Sequence, residues 1–131
     1  MSDAALEEPR GQLTTSTMAM PKDTNPSGDI FGGWMMAQMD VAGGITAAWR
    51  ARGRIATVAV TEMAFHRPVR VGDVLCVYAE VARTGRTSLT VPVEAWIHRR
   101  GDMDNMVKVS EGIFTYVAID PDGNKRDVPT A

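Results

Sequence analysis

Asp40 sits near the middle of 30–49, where apolar side chains and glycines dominate and Gln38 is its only close polar companion. At 3.6 residues per turn, Asp40 shares a helical row with Gly33, Met36, Gly43, Gly44 and Ala47. An ionised carboxylate on a face of small residues is costly unless something pairs with it or uses it. One reading is structural, a hydrogen bond to a neighbouring strand or a partner subunit. The other is chemical, and the preceding loop favours it. Asn25-Pro-Ser-Gly28 leads into Phe31-Gly32-Gly33, where a helix starts and its unpaired backbone N–H groups can receive a developing oxyanion. Asn25 adds a side-chain amide, although an Asx-turn ahead of Pro26 also accounts for it. Carboxylate, amide and helix N-terminus together make a set that activates water and polarises a carbonyl.

The elements that must hold this set follow from period and punctuation. Residues 12–20 are Thr-rich and suit a strand, and 21–29 collect turn formers into an ordered loop. The helix begins at Gly32 or Gly33 and runs to about Arg52, closed by Gly53, with Arg50 and Arg52 favourably placed in its last turn. Met35, Met39, Ala42, Thr46 and Trp49 form its expected core row, and the helix reads as buried on nearly all sides. From Arg54 the period changes to two. Strands are expected over 55–66, 74–83, 87–98 and 106–119, joined by turns at Arg70–Asp73, Thr84-Gly85-Arg86 and Arg99–Asp102. Leu89, Val91, Val93, Ala95 and Ile97 share one face, Pro92 suggests an edge or a bulge, and Val107, Val109, Ile113, Val117 and Ile119 are expected in register. The sum is an α+β fold, an antiparallel sheet of five to six strands, four of them in a meander, wrapped around one long central helix. Residues 1–11 read as a flexible tail and 12–131 as a single domain.

Composition narrows the function classes. With 131 residues, 44% hydrophobic and 23% charged, the chain is an ordinary globular domain able to form a core without disulfides or metal. A net charge of −2 argues against a general nucleic-acid binder. The acidic N-terminus is no signal peptide, and Asp40, Gln38 and four glycines argue against reading 30–49 as a membrane span. Cys76, the one cysteine, excludes an internal disulfide and fits a reducing cytosol. Mid-strand, it reads as a small core residue. His66 and His98 form no metal motif, Gly28, Gly32 and Gly33 form no phosphate loop, and no G-x-S-x-G elbow occurs. Asp102-Met-Asp-Asn105 lacks the length of a calcium loop and reads as a turn. Met35, Met36 and Met39 suit core packing, or more sharply a plastic acyl tunnel.

Asp23 to Trp34, then Gln38-Met-Asp40 and Gly43-Gly44, resemble the signature of hotdog-fold acyl-CoA thioesterases, in particular the bacterial YciA-type hydrolases. The likeness runs through Thr57-Val-Ala-Val60, Arg67-Pro68-Val69, Val71-Gly72-Asp73-Val74, Gly85-Arg86-Thr87-Ser88 and Phe114 to Pro121, covering about 13–129. It implies that the essential carboxylate is Asp40 and its partner amide Asn25, supplied by different subunits across a dimer interface. It implies that CoA lies along Thr57 and Val58 with Gly85, Arg86, Thr87 and Ser88. It also implies a cytoplasmic homo-oligomer, a dimer at minimum and usually a trimer of dimers, with no cofactor beyond the CoA of substrate and product, no metal, no nucleic acid and no membrane. The reaction expected is thioester hydrolysis. Gly32 and Gly33 amides and Asn25 polarise the carbonyl, and Asp40 activates water or attacks as nucleophile. Arg86 would meet a CoA phosphate, with Lys125 and Arg126 as weaker candidates that equally read as a solvated tail. The rivals are a hydratase or dehydratase on the same fold, which usually wants a His–Asp pair, and a non-catalytic acyl-CoA sensor, which would not need both Asn25 and Asp40.

Overall fold

The computed structural model describes residues 7–130; residues 1–6 of the expected tail, and Ala131, lie outside the described residues. Strand β1 (Gln12–Met18) is followed by a single 3-10 turn (Pro21–Asp23) and the helix α1 (Gly32–Ala51). Then come β2 (Ile55–Phe65), β3 (Val74–Ala79), the two-residue β4 (Arg83–Thr84), β5 (Ser88–His98) and β6 (Val107–Ala118). All pairings are antiparallel, in the order β1-β3-β5-β6-β2, with β4 beside β5. The helix lies across this sheet and packs on β1, β2, β3, β5 and β6. Met35, Met39 and Ala42 meet Leu75 and Val77 of β3, the expected row Leu89 to Ile97 of β5, and Phe114 and Tyr116 of β6 in one buried cluster.

The order is not the expected meander, because β2 and β3 lie on opposite sides of β5 and β6. The reason is the segment 66–73, too long for a tight hairpin. Instead of folding β3 back on β2, it crosses beneath the start of α1. Val69 O accepts the Ile30 N–H, while Asp73 O and Gly72 N–H pair with Ala19 at the end of β1. Buried Asp73 fixes the turn, its carboxylate accepting from Arg70 N–H and the Arg99 guanidinium. Thus β3 leaves beside β1, and β2 is left to pair with β6.

Four local readings are corrected by packing. Pro92 lies in central β5, not at an edge; the alternation that turns Thr90 O toward Ala82 N–H points the Pro92 nitrogen the same way, into the gap between β3 and β4. In β6 the pairing skips Val109, so the core face changes parity there. Val109 is buried on it, but beyond the bulge Phe114, Tyr116 and Ala118 take over from Ile113 and Ile119. On α1 the buried stripe follows Met35, Met39, Gly43, Ala47 and Ala51, a four-residue stagger that turns Thr46 partly and Trp49 fully away; Trp49 is 75% exposed and Val41 53%. The helix is therefore buried on one side of this single chain, not on nearly all. Finally, Arg52 (φ 56°), not Gly53, takes the left-handed position that ends it.

The adjacent glycines of α1 differ sharply. A Cβ on Gly43 would stand 2.3 Å from the Tyr116 hydroxyl, whereas one on Gly44 would meet only Ile55 at 3.6 Å and Tyr116 at 3.9 Å. Gly43→Ala is expected to destabilise the fold by roughly 1–3 kcal/mol through overpacking. Gly44→Ala should be neutral or stabilising by up to about 1 kcal/mol through helix propensity. Urea unfolding of the two variants measures the contrast.

Candidate functional site

Asp40 projects from the middle of α1 onto the seam between β2 and β6. Thr57 and Tyr116 are cross-strand partners there, so their side chains share a face at one level. The Thr57 hydroxyl donates to Asp40 Oδ1 at 2.9 Å. The Tyr116 hydroxyl lies 3.0 Å from the same oxygen and 3.1 Å from the Asp40 carbonyl, sharing one proton between them. Tyr116 is fully buried, and burial first, then the Asp40 charge, pushes its phenol far above the ordinary value. It remains a donor at any working pH. What approaches the small-residue row is therefore this ring, and Gly43 makes the room. Asp40 does bond to neighbouring strands, as the structural reading expects, but only through Oδ1; Oδ2 has no hydrogen-bond partner among the described residues.

Beside the carboxylate is a pocket of about 240 Å³, walled by Gly33, Met36, Ala37, Val60 and Phe114 with Asp40 and Thr57 as its polar groups. Of the three helix methionines only Met36 reaches it; Met35 and Met39 are core. The start of α1 has no side-chain cap, and the Gly32 and Gly33 N–H groups have no acceptor among the described residues. Gly33 shares the Asp40 pocket. Gly32 instead lines a separate hollow with Met35 and residues 65–69.

Asn25 is in an Asx-turn: its Oδ1 accepts from Ser27 N–H at 2.9 Å and Asp29 N–H at 3.1 Å. That bond fixes the amide and leaves Nδ2 without an acceptor among the described residues. Asn25 does not line the Asp40 pocket of its own chain. The other expected residues gather at the same level of the sheet. Tyr116 is flanked by Thr57 on one side and Leu89 on the other, so Thr57 and the start of β5 stand roughly 10 Å apart. Val58 is half exposed at a bulge. The turn closes with Gly85 N–H on Ser88 O, and Thr87 O accepts Ala118 N–H. Arg86 pairs with Asp127 at 2.7 Å, both largely exposed, a contact worth little in water and open to exchange. Thr57, expected at CoA, has its hydroxyl committed to Asp40.

Sequence reasoning missed Tyr116, whose only signal was a hydroxylated aromatic in a strand of alternating apolar residues, with Gly43-Gly44 on the helix to receive it. Of the two readings of Arg126, a CoA phosphate contact or a solvated tail, the second does not hold: its guanidinium donates to Ala51 O at 2.9 Å and Ile119 O at 3.0 Å, capping the end of α1. His66 pairs with Glu111 and His98 with Asn105 O, and Cys76 is buried. Among the described residues no group of three or more His, Cys, Asp or Glu could hold a metal ion, and no helix is long and apolar enough to cross a membrane.

A six-stranded antiparallel sheet gripping one long helix is the hotdog architecture. Residues 27–103 match the model of the thioesterase superfamily. The acyl-CoA thioester hydrolase YciA of Salmonella typhimurium is 48% identical over 123 residues, 92% of each chain. The crystal structure of a hexameric thioesterase from Yersinia pestis is 46% identical, with a TM-score of 0.89 over 95% of this chain and all of that one. That of a hexameric broad specificity acyl-coenzyme A thioesterase is 43% identical, with a TM-score of 0.89 over 95% of this chain and 85% of that one. The chain belongs to the thioesterase superfamily.

The Tyr116 hydroxyl helps hold the Asp40 carboxylate in place through Oδ1. Tyr116→Phe, which keeps the ring but removes the donor, is expected to lower the thioesterase rate about tenfold with little change in KM. A rate equal to wild type would remove Tyr116 from the positioning of the carboxylate.

Proposed function

We propose that this protein hydrolyses acyl-CoA to a free carboxylic acid and CoA. The observation that carries the reading is the carboxylate of Asp40, pinned through Oδ1 by Thr57 and Tyr116 and open through Oδ2, at the mouth of an apolar pocket. The acyl chain enters among Met36, Val60 and Phe114. The thioester carbonyl points toward the Gly33 N–H, with Gly32 and Asn25 Nδ2 as further donors, so the oxyanion is met by fixed dipoles. Oδ2 takes a proton from water as the water oxygen bonds to the carbonyl carbon. The C–S bond then breaks, and the CoA sulfur leaves with the proton that Asp40 returns. Thr57 acts through Asp40. Val58, Gly85, Thr87 and Ser88 lie along the CoA arm, and Arg86 exchanges Asp127 for a phosphate.

The amide donor comes from a second protomer in this reading. Asn25 stands apart from the Asp40 pocket of its own chain, and similar thioesterases are hexamers. A dimer is then the minimal active unit, assembled as a trimer of dimers and working in the cytoplasm.

Thiol release from a panel of acyl-CoAs tests the chemistry. Wild type is expected to turn over, and Asp40→Asn to lose about two to four orders of magnitude while still binding CoA. Equal rates would remove Asp40 from the mechanism, and binding without thiol release by wild type would favour a sensor. Mixing tests the shared site. Asn25→Ala and Asp40→Asn chains, each inactive alone, should after co-refolding regain about a quarter of wild-type activity, because half the dimers are hybrids with one intact site of two. No recovery would place both residues in one chain's site.

A further inference from the structure

After β6 the chain turns and comes back on itself. Asp120 starts the turn, its Oδ1 accepting from Asp122 and Asn124 N–H at 2.9 Å, and Lys125 bridges back to Ile119. The returning segment is bonded to three separate parts of the molecule. Arg126 N–H donates to Ala118 O of β6. The Arg126 guanidinium caps Ala51 O of α1, and Gly53 leaves it the room, since a Cβ there would stand 2.7 Å from Nη2. Pro129 O accepts from the Arg50 guanidinium at 2.7 Å. Val128 packs against the core cluster and gives its N–H to Arg86 O at 2.8 Å, while Asp127 takes the Arg86 side chain.

The turn that carries Arg86 has little else to hold it. It joins β5 to β4, a strand of two exposed residues that pairs with β5 alone. Among the described residues no hydrogen bond runs directly from α1 to residues 83–88. A run of bonds through 126–129 does connect them, from the last turn of the helix that carries Asp40 to the tip of the Arg86 turn. The two holds on Arg86 differ in kind. The exposed Asp127 pair yields to another anion, whereas the Val128 bond joins backbone groups and persists when the guanidinium changes partner. We propose that residues 126–129 form a strut that fixes the 84–88 turn relative to α1, with Val128 and Arg50 as its positioning residues. The assignment rests on the reading that this turn lies along the CoA arm. It goes beyond that reading by giving the segment after β6 the task of keeping the arm in register with Asp40.

The test uses the double variant Arg50→Ala, Val128→Pro, which severs both outer bonds of the strut and keeps the Arg126 cap and the Arg86–Asp127 pair. Residue 129 is already proline, so position 128 is extended in either protein. Amide hydrogen exchange is expected to quicken about tenfold at 84–88 and to stay unchanged in β3 and β6. KM should rise about fivefold for an acyl-CoA at constant kcat, and stay unchanged for the same acyl-pantetheine, which lacks the phosphates and nucleotide. KM changes shared by the two substrates, with exchange raised throughout the sheet, would mark a merely structural role and overturn the proposal. Exchange at 84–88 that keeps its wild-type rate would overturn it too, as would quickened exchange with the acyl-CoA KM unmoved. If the double variant does not fold, Val128→Pro alone carries the same expectations at about threefold. If wild type releases thiol from no acyl-CoA, the activity reading fails, and exchange at 84–88 together with CoA affinity by calorimetry decides the strut. Both altered in the variant supports it, and either one unaltered overturns it.

Discussion

The fold is organised around one hydrogen bond beneath one glycine. The Tyr116 hydroxyl reaches Asp40 only because Gly43 has no side chain in its path, and Asp40 holds its carboxylate at the seam of β2 and β6 only because Tyr116 and Thr57 meet it there. A buried phenol without an acceptor and a half-buried carboxylate without donors would each be costly. Together they satisfy one another and leave a single oxygen unclaimed.

That arrangement makes the sheet order consequential. Had β2 folded back on β3 as a meander, Thr57 and Tyr116 would not be neighbours. The crossing segment 66–73, locked by buried Asp73 and by its bonds to Ala19 and Ile30, carries β3 away and gives β2 its place beside β6. The connection is not in the pocket, yet it decides which two hydroxyls face the helix.

Much of this was legible in the chain. Asp40 stood out because a charge on a row of glycines and alanines has few bland explanations, and the clean alternation of Leu89 to Ile97 marked a buried strand face correctly. The hotdog likeness rested on the loop and helix motif together. What stayed hidden was non-local. Period alone does not say which strands are adjacent, so neither the bond from Thr57 to Asp40 nor any part for Tyr116 could be read from it. A one-residue bulge at Val109 reversed the face of β6, and the core stripe of α1 drifted away from Trp49. Arg126 could be read as tail because the helix end it caps lies 75 residues earlier.

The same remoteness bears on how the protein comes into being. Asp40 depends on a phenol 76 residues further along, and the close of its helix on an arginine near the end of the chain. A nascent chain on the ribosome can form α1 and β2 early, but not a finished carboxylate site. Contacts this distant are made late and slowly. The bonds that pin Asp40 are therefore complete only once β6 is in place beside β2.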